Sequence, residues 1–297
     1  MKTDVHFGKE VKIGYVSALL AAVLFGSVST LAKPTLTTIH PLVLSFIVYL
    51  IASLTLTPIA QKTKFSLDKK NWILIITVAL SGAVIAPTLY FFGLEQVTAS
   101  DTAILTNGEI VFSVLFALLF FKEKLNKVGY FAVVIVLLGI MIVTTNLEFS
   151  SSSFDLKNVG NLLIIVATGF WALDNNLSKL VSHRLEVARI VQLKSAIGGV
   201  ILLGLVIALQ IPIDVKPEHI PNVVLLGAAG FGVSIYLFIQ GLKRIGTVKT
   251  IMIFSTSAIF GMIFASLFLN ETIGSYQIIA VAIMLGGLYL LHKGGLE

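Results

Sequence analysis

One carboxylate falls deep inside an apolar segment of the chain, where an ionised side chain is costly. Glu109 follows about ten residues of an apolar stretch at roughly 99–121 and is followed by another ten or so. An ionisable residue at such a depth usually serves a pathway for protons, ions or substrates, because an idle charge there would be unfavourable. Glu109 is therefore a candidate for binding a proton or a cationic group. The alternative is a protonated glutamic acid that hydrogen-bonds a neighbouring helix and has a purely structural role.

A second candidate is a polar stripe in the segment 158–182. At about 100° per residue, Trp171, Asn175 and Asn176 share one face of a helix, and such side chains suit a polar solute or hydrogen bonds between helices. Asp174 falls about 160° from the centre of that stripe on an unbroken helix. Either Asp174 pairs with a cation on another helix, or the acidic and amide run 174–176 locally unwinds.

The first apolar segment carries polar residues at matching positions. Ser29 and Thr30 align with the asparagine pair, and Lys33 aligns with Lys179, at an offset of 146 residues. Each lysine lies at the end of the polar face of its own segment, so the two lysines either extend toward the lipid headgroups or act as gates. Lys194, a turn or two inside its own segment, is expected to extend toward the headgroups as well.

Ten apolar segments must position these residues. Apolar residues make up 57% of the chain and charged residues 12%, against about 25% charged in an ordinary globular protein. Runs of about twenty apolar residues span a bilayer as helices, which predicts an all-α integral membrane protein with lipid as a partner. The predicted spans are 13–33, 41–60, 71–93, 99–121, 128–146, 158–182, 188–210, 221–242, 248–269 and 274–292.

The chain contains one stretch twice. Gly93–Leu125 and Gly241–Ile273 align without a gap at an offset of 148 residues, each with a Gly-Leu pair, an apolar run and an acidic turn. A connection that includes Ser150–Ser153 separates two sets of five spans, and an odd number per set forces the second set to enter the membrane inverted. We therefore predict two inverted five-helix repeats, 1–149 (spans 13–146) and 150–297 (spans 158–292).

The basic residues predict the orientation. Of the 21 lysines and arginines, 16 fall at the termini and the even-numbered loops, 3 in the odd-numbered loops, and Lys179 and Lys194 inside spans. Cytoplasmic loops are enriched in such residues, so both termini are predicted to be cytoplasmic in a multi-pass protein of the cell membrane. The scattered basic loops do not form a nucleic-acid footprint. Cysteine is absent and the histidines fall in loops or at helix ends, so neither a metal site nor a cofactor is expected.

Several motifs recur at equivalent positions of the two halves. They are Phe25-Gly26 and Phe170-Trp171 followed by Lys33 and Lys179, the Gly-Leu pairs at Gly93 and Gly241, the acidic turns at Glu123 and Glu271, and the small residues Gly139 and Gly287. This pattern resembles the EamA-type ten-helix exporters of the drug/metabolite transporter superfamily. The resemblance implies export of amino acids, related metabolites or other small organic solutes. The family usually has proline where this chain has Ile110 and Ala258, so no proline kink is expected there.

Three classes of function remain in view. A secondary transporter with a solute site between inverted halves agrees with the repeat, and the superfamily also contains uptake and exchange carriers. A membrane-embedded enzyme would need a cluster of catalytic groups that the sequence does not display. A channel or a structural membrane protein would not require two inverted halves. No ATP-binding loop motif occurs, so transport would draw on a gradient, for example of protons.

Overall fold

The computed structural model describes residues 2–60, 69–120, 126–147, 156–182 and 184–293. Over these residues the regular structure is helical and no strand is formed. The acidic turn at Glu123, the lysines beside it and the serine run Ser150–Ser153 lie outside the described residues. An all-helical fold is therefore confirmed for the part of the chain that is described.

The helices follow the predicted apolar segments. They are α1 (Lys2–Thr35), α2 (Pro41–Leu56), α3 (Lys69–Ala79), α4 (Ala86–Gln96), α5 (Ala99–Leu105), α6 (Gly108–Phe120), α7 (Lys127–Thr145), α8 (Leu156–Val181), α9 (Val187–Ala208), α10 (Ile220–Leu225), α11 (Ser234–Ile245), α12 (Thr247–Phe254), α13 (Ser257–Leu269) and α14 (Ser275–Lys293). Two π-helical segments, Leu80–Ile85 and Leu226–Val233, join α3 to α4 and α10 to α11, and a short 3-10 turn, Pro217–His219, precedes α10.

Six stretches of the described chain are long and apolar enough to cross a membrane. They are Glu10–Thr35, Lys69–Gln96, Lys127–Thr145, Val187–Ala208, Pro217–Ile245 and Lys249–Leu269. Pro41–Leu56 and Ser275–Leu291 are apolar but shorter. Many large apolar side chains are exposed, including Leu54, Leu119 and Phe268, each about 70% exposed. Such surfaces suit lipid as the surrounding solvent, because water would not tolerate this amount of exposed apolar area.

The helix interruption that Gly82 and Pro87 suggest in the third predicted span takes the form of a π-helical segment. The Ala86 N–H donates to the Ser81 carbonyl, five residues earlier, and Pro87 has no N–H to donate. The Gly82 carbonyl therefore loses its backbone partners. Two side chains replace them: Tyr49 Oη donates to Gly82 O at 2.6 Å and Trp171 Nε1 at 3.2 Å. Side chains of α2 and α8 thus hold the interrupted helix in place.

The fourth and ninth predicted spans are each broken, although neither contains proline. The turns at Thr106–Asn107 and Ser255–Thr256 separate α5 from α6 and α12 from α13. At both turns a hydroxyl donates to the carbonyl three residues earlier, as in Thr106 Oγ1 to Ala103 O and Ser255 Oγ to Met252 O, both 2.6 Å. Such bonds compete with the helical backbone ladder. The two spans are thus interrupted without proline, a few residues before Ile110 and Ala258.

Contacts between the two halves of the chain are reciprocal. In the first half α1 packs against α11, α12 and α13, while in the second half α8 packs against α3, α4 and α6. The α7–α14 interface repeats the pattern at residue level, because a Cβ on Gly139 would meet Met284 and a Cβ on Gly287 would meet Val136. Both pairs are related by the offset of 148 residues. Helices α1 and α8 consequently lie between the halves.

Candidate functional site

A small cavity lies where α1, α6, α8, α11 and α12 meet. Its described lining consists of Phe25, Glu109, Trp171, Asp174, Asn175, Phe231, Ile235, Phe238 and Phe254. A second, adjoining cavity shares Glu109 and reaches the hydroxyl and amide groups of both helix breaks, at Thr106, Asn107, Ser255 and Ser257. The first cavity brings together four of the residues selected from the sequence: Glu109, Trp171, Asp174 and Asn175.

Glu109 is positioned by the break before α6. The break places this carboxylate in the first turn of α6, where the helix dipole favours negative charge. Its side chain is almost entirely buried, with the residue 8% exposed. Asn175 Nδ2 donates to Glu109 Oε1 at 2.7 Å, so α8 of the second half holds the carboxylate of the first half. Within the described part of the chain, Asn175 is the residue that hydrogen-bonds this carboxylate, through one of its two oxygens.

Asp174 forms a buried ion pair with Lys194 of α9. The Lys194 Nζ to Asp174 Oδ2 distance is 2.5 Å, and the side chains are 1% and 2% exposed. Ser178 Oγ donates to Asp174 Oδ1 at 2.9 Å, and α8 continues unbroken through this position. Of the two alternatives for Asp174, pairing with a cation on another helix is therefore the one observed. The expectation that Lys194 extends toward the headgroups was wrong, because a buried carboxylate holds its ammonium group.

Aromatic rings form most of the cavity wall. Their centroids lie 5.8 Å apart for Phe25 and Trp171, 5.0 Å for Phe25 and Phe254, and 4.5 Å for Phe238 and Phe254. Phe231 lies 6.3 Å from Trp171. The indole cannot turn freely, since its Nε1 donates to the Gly82 carbonyl freed by the π-helical segment. The five rings therefore form a continuous apolar wall that faces two acidic side chains.

Besides the two lysines, three residues selected from the sequence lie outside the cavity lining: Ser29, Thr30 and Asn176. Ser29 and Thr30 are buried, and their hydroxyl oxygens have no hydrogen-bond partner among the described residues. Asn176 is buried too, but its Nδ2 donates to Ala172 O on its own helix at 2.8 Å. The polar stripe of α8 thus divides into Asn175, which faces the cavity, and Asn176, which hydrogen-bonds along the helix.

A dense polar network joins the halves where α5 begins, at one end of the molecule. Glu271 accepts from the backbone N–H groups of Ala99 and Ser100 at 2.8 and 2.9 Å and from Ser100 Oγ at 2.6 Å. Gln277 Nε2 donates to Ser100 Oγ at 2.9 Å and to Asp101 Oδ1 at 2.7 Å. Tyr276 Oη donates to Asp101 Oδ1 at 3.1 Å. This end network, Ser100, Asp101, Glu271, Tyr276 and Gln277, ties α5 to α13 and α14.

The two lysines proposed as gates occupy the ends of α1 and α8. Lys33 Nζ donates to the carbonyls of Leu94, Glu95 and Val97 at 2.8, 3.1 and 2.6 Å. It therefore caps the carboxyl end of α4, a position that favours a cation, beside the end network. Lys179 is half-buried in the last turn of α8. Neither lysine lines the cavity.

Sequence reasoning missed Lys194 and the aromatic residues of the second half, Phe231, Phe238 and Phe254. Two features of the sequence could have predicted the ion pair. Lys194 lies within an apolar segment, and Asp174 lies off the polar face of its own helix. No comparable signal marks the three phenylalanines, since phenylalanine occurs 20 times in the chain. Among the described residues, no group of three metal-binding side chains is formed.

The comparisons with known proteins agree with this architecture. The model of the EamA-like transporter family matches residues 12–145 and 158–292. An uncharacterized transporter of Methanothermobacter thermautotrophicus is 30% identical over 297 residues, covering 95% of this chain and 87% of the relative. The pseudopaline exporter CntI of Pseudomonas aeruginosa is 24% identical over 156 residues, which is 52% of this chain and 54% of the exporter.

A solved crystal structure has the same fold. It superposes with a TM-score of 0.72 at 16% identity and covers 94% of this chain and 96% of the other. The two matched ranges of the family model correspond to the two halves of the described helices and cover most of the chain. The resemblance inferred from the repeated motifs is confirmed, and the chain belongs to the EamA-like transporter family of multi-pass membrane proteins.

Proposed function

We propose that this transporter exports a small organic solute, an amino acid or a related metabolite, by alternating access. The observation that carries this proposal is the cavity between the halves, where Glu109 of the first half meets Asn175 of the second at 2.7 Å. Inverted-repeat transporters bind their solutes at such an interface near the middle of the membrane. The pseudopaline exporter, to which half of the chain is similar, supports export as the direction.

Two five-helix repeats, 1–149 and 150–297, that cross the membrane ten times in opposite senses form the framework of the proposal. Reciprocal contacts support it: a Cβ on Gly14 would meet Arg244 and Ile245, and one on Gly160 would meet Gln96 and Val97, the positions 148 residues earlier. Both halves also carry a π-helical segment in the third span and a broken fourth span. Alternating access then follows from rocking one repeat against the other.

The orientation predicts which loops face outward. Ser151→Cys is expected to react with a membrane-impermeant thiol reagent applied to intact cells, and Lys124→Cys only after lysis. The chain has no cysteine, so each variant carries one reactive site. The reverse pattern of labelling would contradict both the cytoplasmic termini and the inverted arrangement.

In that orientation the end network closes the outer side of the cavity. For the halves to separate there, two sets of hydrogen bonds must break. They are the two that Gln277 Nε2 donates and the three that the Glu271 carboxylate accepts. The hydrogen bonds of Asp101, Tyr276 and Gln277 have no counterpart on the cytoplasmic side, because Lys249, Val128 and Gly129 occupy the equivalent positions. The repeat symmetry is thus broken in a way that favours the state closed to the outside.

Access to the cavity tests the transporter proposal directly. Asn175→Cys should be labelled by an impermeant thiol reagent from the outside of cells and from the cytoplasmic side of inverted vesicles. Gln277→Met should raise the ratio of outside to inside labelling about thirtyfold, because losing two buried hydrogen bonds worth about 1 kcal/mol each shifts a two-state equilibrium by about 2 kcal/mol. Gln96→Met is the matched control, since the exposed Gln96 side chain donates to the Phe92 carbonyl of its own helix and, among the described residues, not to the other half.

The two outcomes of that experiment separate clearly. A cysteine at position 175 that remains unreactive from both sides, in a protein that is folded and inserted, would exclude a solute pathway through this cavity. An unchanged labelling ratio in Gln277→Met would leave the pathway intact and remove the end network as its outer gate.

A further inference from the structure

Among the described residues that line the cavity, every charged side chain is acidic. Glu109 and Asp174 contribute carboxylates, and the remaining lining residues are Asn175, one aliphatic and five aromatic side chains. The nearby ammonium of Lys194 is committed to Asp174 at 2.5 Å and is itself 0% exposed. Asp174 and Lys194 therefore neutralise one another, and Glu109 is the carboxylate whose charge remains to be balanced.

The polar groups around Glu109 do not supply that balance. Asn175 donates one hydrogen bond, which orients the carboxylate but brings no positive charge. An uncompensated charge in an apolar site is unfavourable, so the Glu109 carboxylate must either take up a proton or bind an incoming cation. A solute with a carboxylate would instead place a further negative charge beside Glu109, and none of the described lining residues is a cation that could receive it.

Aromatic rings share the cavity with the two carboxylates. Its lining includes Phe25, Trp171, Phe231, Phe238 and Phe254, whose rings pack against one another. Aromatic faces attract ammonium groups, and the attraction is larger where water is excluded. The same rings bury the apolar body of a ligand. An organic cation with an aromatic or apolar body satisfies the rings and the carboxylate together.

We propose that the transported solute carries a cationic nitrogen, which binds Glu109, on an apolar body, which packs against the five rings. This assignment rests on the transporter proposal and narrows its solute class. Within the small organic solutes of the transporter proposal, monoamines fit this cavity, and they replace zwitterionic amino acids as the expected solute; organic anions do not fit. The Asp174–Lys194 pair is a positioning element, since it fixes α8 without leaving an anion-binding group in the cavity.

Three probes that share one body and differ in charge test the proposal. Phenethylamine is a cation, L-phenylalanine a zwitterion and 3-phenylpropionate an anion, each with a phenyl ring on a two-carbon chain. In detergent-purified protein, phenethylamine at millimolar concentration should raise the melting temperature by about 2 °C or more, because a ligand that binds only the folded state stabilises it. The other two probes should give no rise. Phenethylamine should also slow the labelling of Asn175→Cys.

Glu109→Gln should abolish the phenethylamine shift, and Glu218→Gln should retain it. Glu218 is the matched control because its side chain is 69% exposed, remote from the cavity. Should Glu109→Gln prove unstable, protection of Asn175→Cys in the otherwise unchanged chain remains as a readout. A larger shift with L-phenylalanine or 3-phenylpropionate, or no effect of phenethylamine while position 175 is labelled from both sides, would overturn the cation assignment and leave the transporter proposal standing. Failure of labelling from both sides would instead reject the solute pathway through this cavity on which the transporter proposal rests.

Discussion

Glu109→Gln is expected to abolish gradient-driven accumulation of solute in proteoliposomes. The substitution preserves the size of the side chain and can still accept the hydrogen bond from Asn175, but it removes the group that binds a proton or a cation. Without that group, a proton gradient cannot drive the transport cycle, because a ligand shifts a conformational equilibrium only through its differential binding to the two states. Uphill transport should fall to the level of empty liposomes, while downhill exchange survives if the role of Glu109 is coupling alone.

The measurement compares uptake of radiolabelled phenethylamine with and without an imposed pH gradient, at several external pH values. Glu218→Gln should behave like the parent, and both variants should insert and migrate as the parent does on size-exclusion chromatography. Parental uphill transport by Glu109→Gln, with the parental pH dependence, would show that the carboxylate is structural. Loss of transport without a change in folding assigns the carboxylate to the transport cycle.

Much of the architecture was predictable because the membrane imposes strong constraints on sequence. Apolar segments of helical length place some helices within a residue or two, as for the segment 128–146 and the observed Lys127–Thr145. Gly82 and Pro87 predicted an interruption of the third helical span, because proline removes a backbone donor. The interruptions at Thr106 and Ser255 carried no such sign. Hydroxyl-bearing residues bond back to the helix in many intact helices, and only tertiary packing decides whether the ladder breaks.

The candidate site was predictable in its polar residues and not in its partners. Intramembrane position alone selected Glu109, and the Asn175 bond to it explains why the two residues belong together. Helical periodicity separated Asp174 from the polar stripe of α8, but periodicity describes one helix and not its neighbours. The identity of the cation that pairs with Asp174 depended on how α8 packs against α9. Contacts between helices distant in sequence are what the apolar pattern leaves undetermined.

The Asp174–Lys194 pair is expected to show the largest stability effects in the chain. Lys194→Met leaves the buried Asp174 carboxylate without its cation, with only the hydrogen bond from Ser178 remaining, and Asp174→Asn leaves a buried ammonium. Removing one member of a buried pair costs about 3–5 kcal/mol, whereas replacing both members by neutral groups of similar volume is often tolerated. Asparagine suits position 174 because the carboxylate packs tightly on the third span, so that a Cβ on Gly82 would strike it.

The double variant Asp174→Asn/Lys194→Met should therefore recover most of the stability that each single variant loses. Unfolding of the purified protein, followed by the fluorescence of Trp72 and Trp171, gives the three free-energy differences of the cycle. Lys70→Met is the control for loss of a lysine, because Lys70 is exposed at the start of α3 and should change stability by less than about 0.5 kcal/mol. Additive losses in the double variant would mean that the two charges are stabilised by separate surroundings rather than by each other. If each single variant is destabilised and the double variant recovers, Asp174 and Lys194 act as one structural unit that anchors α8 beside the cavity.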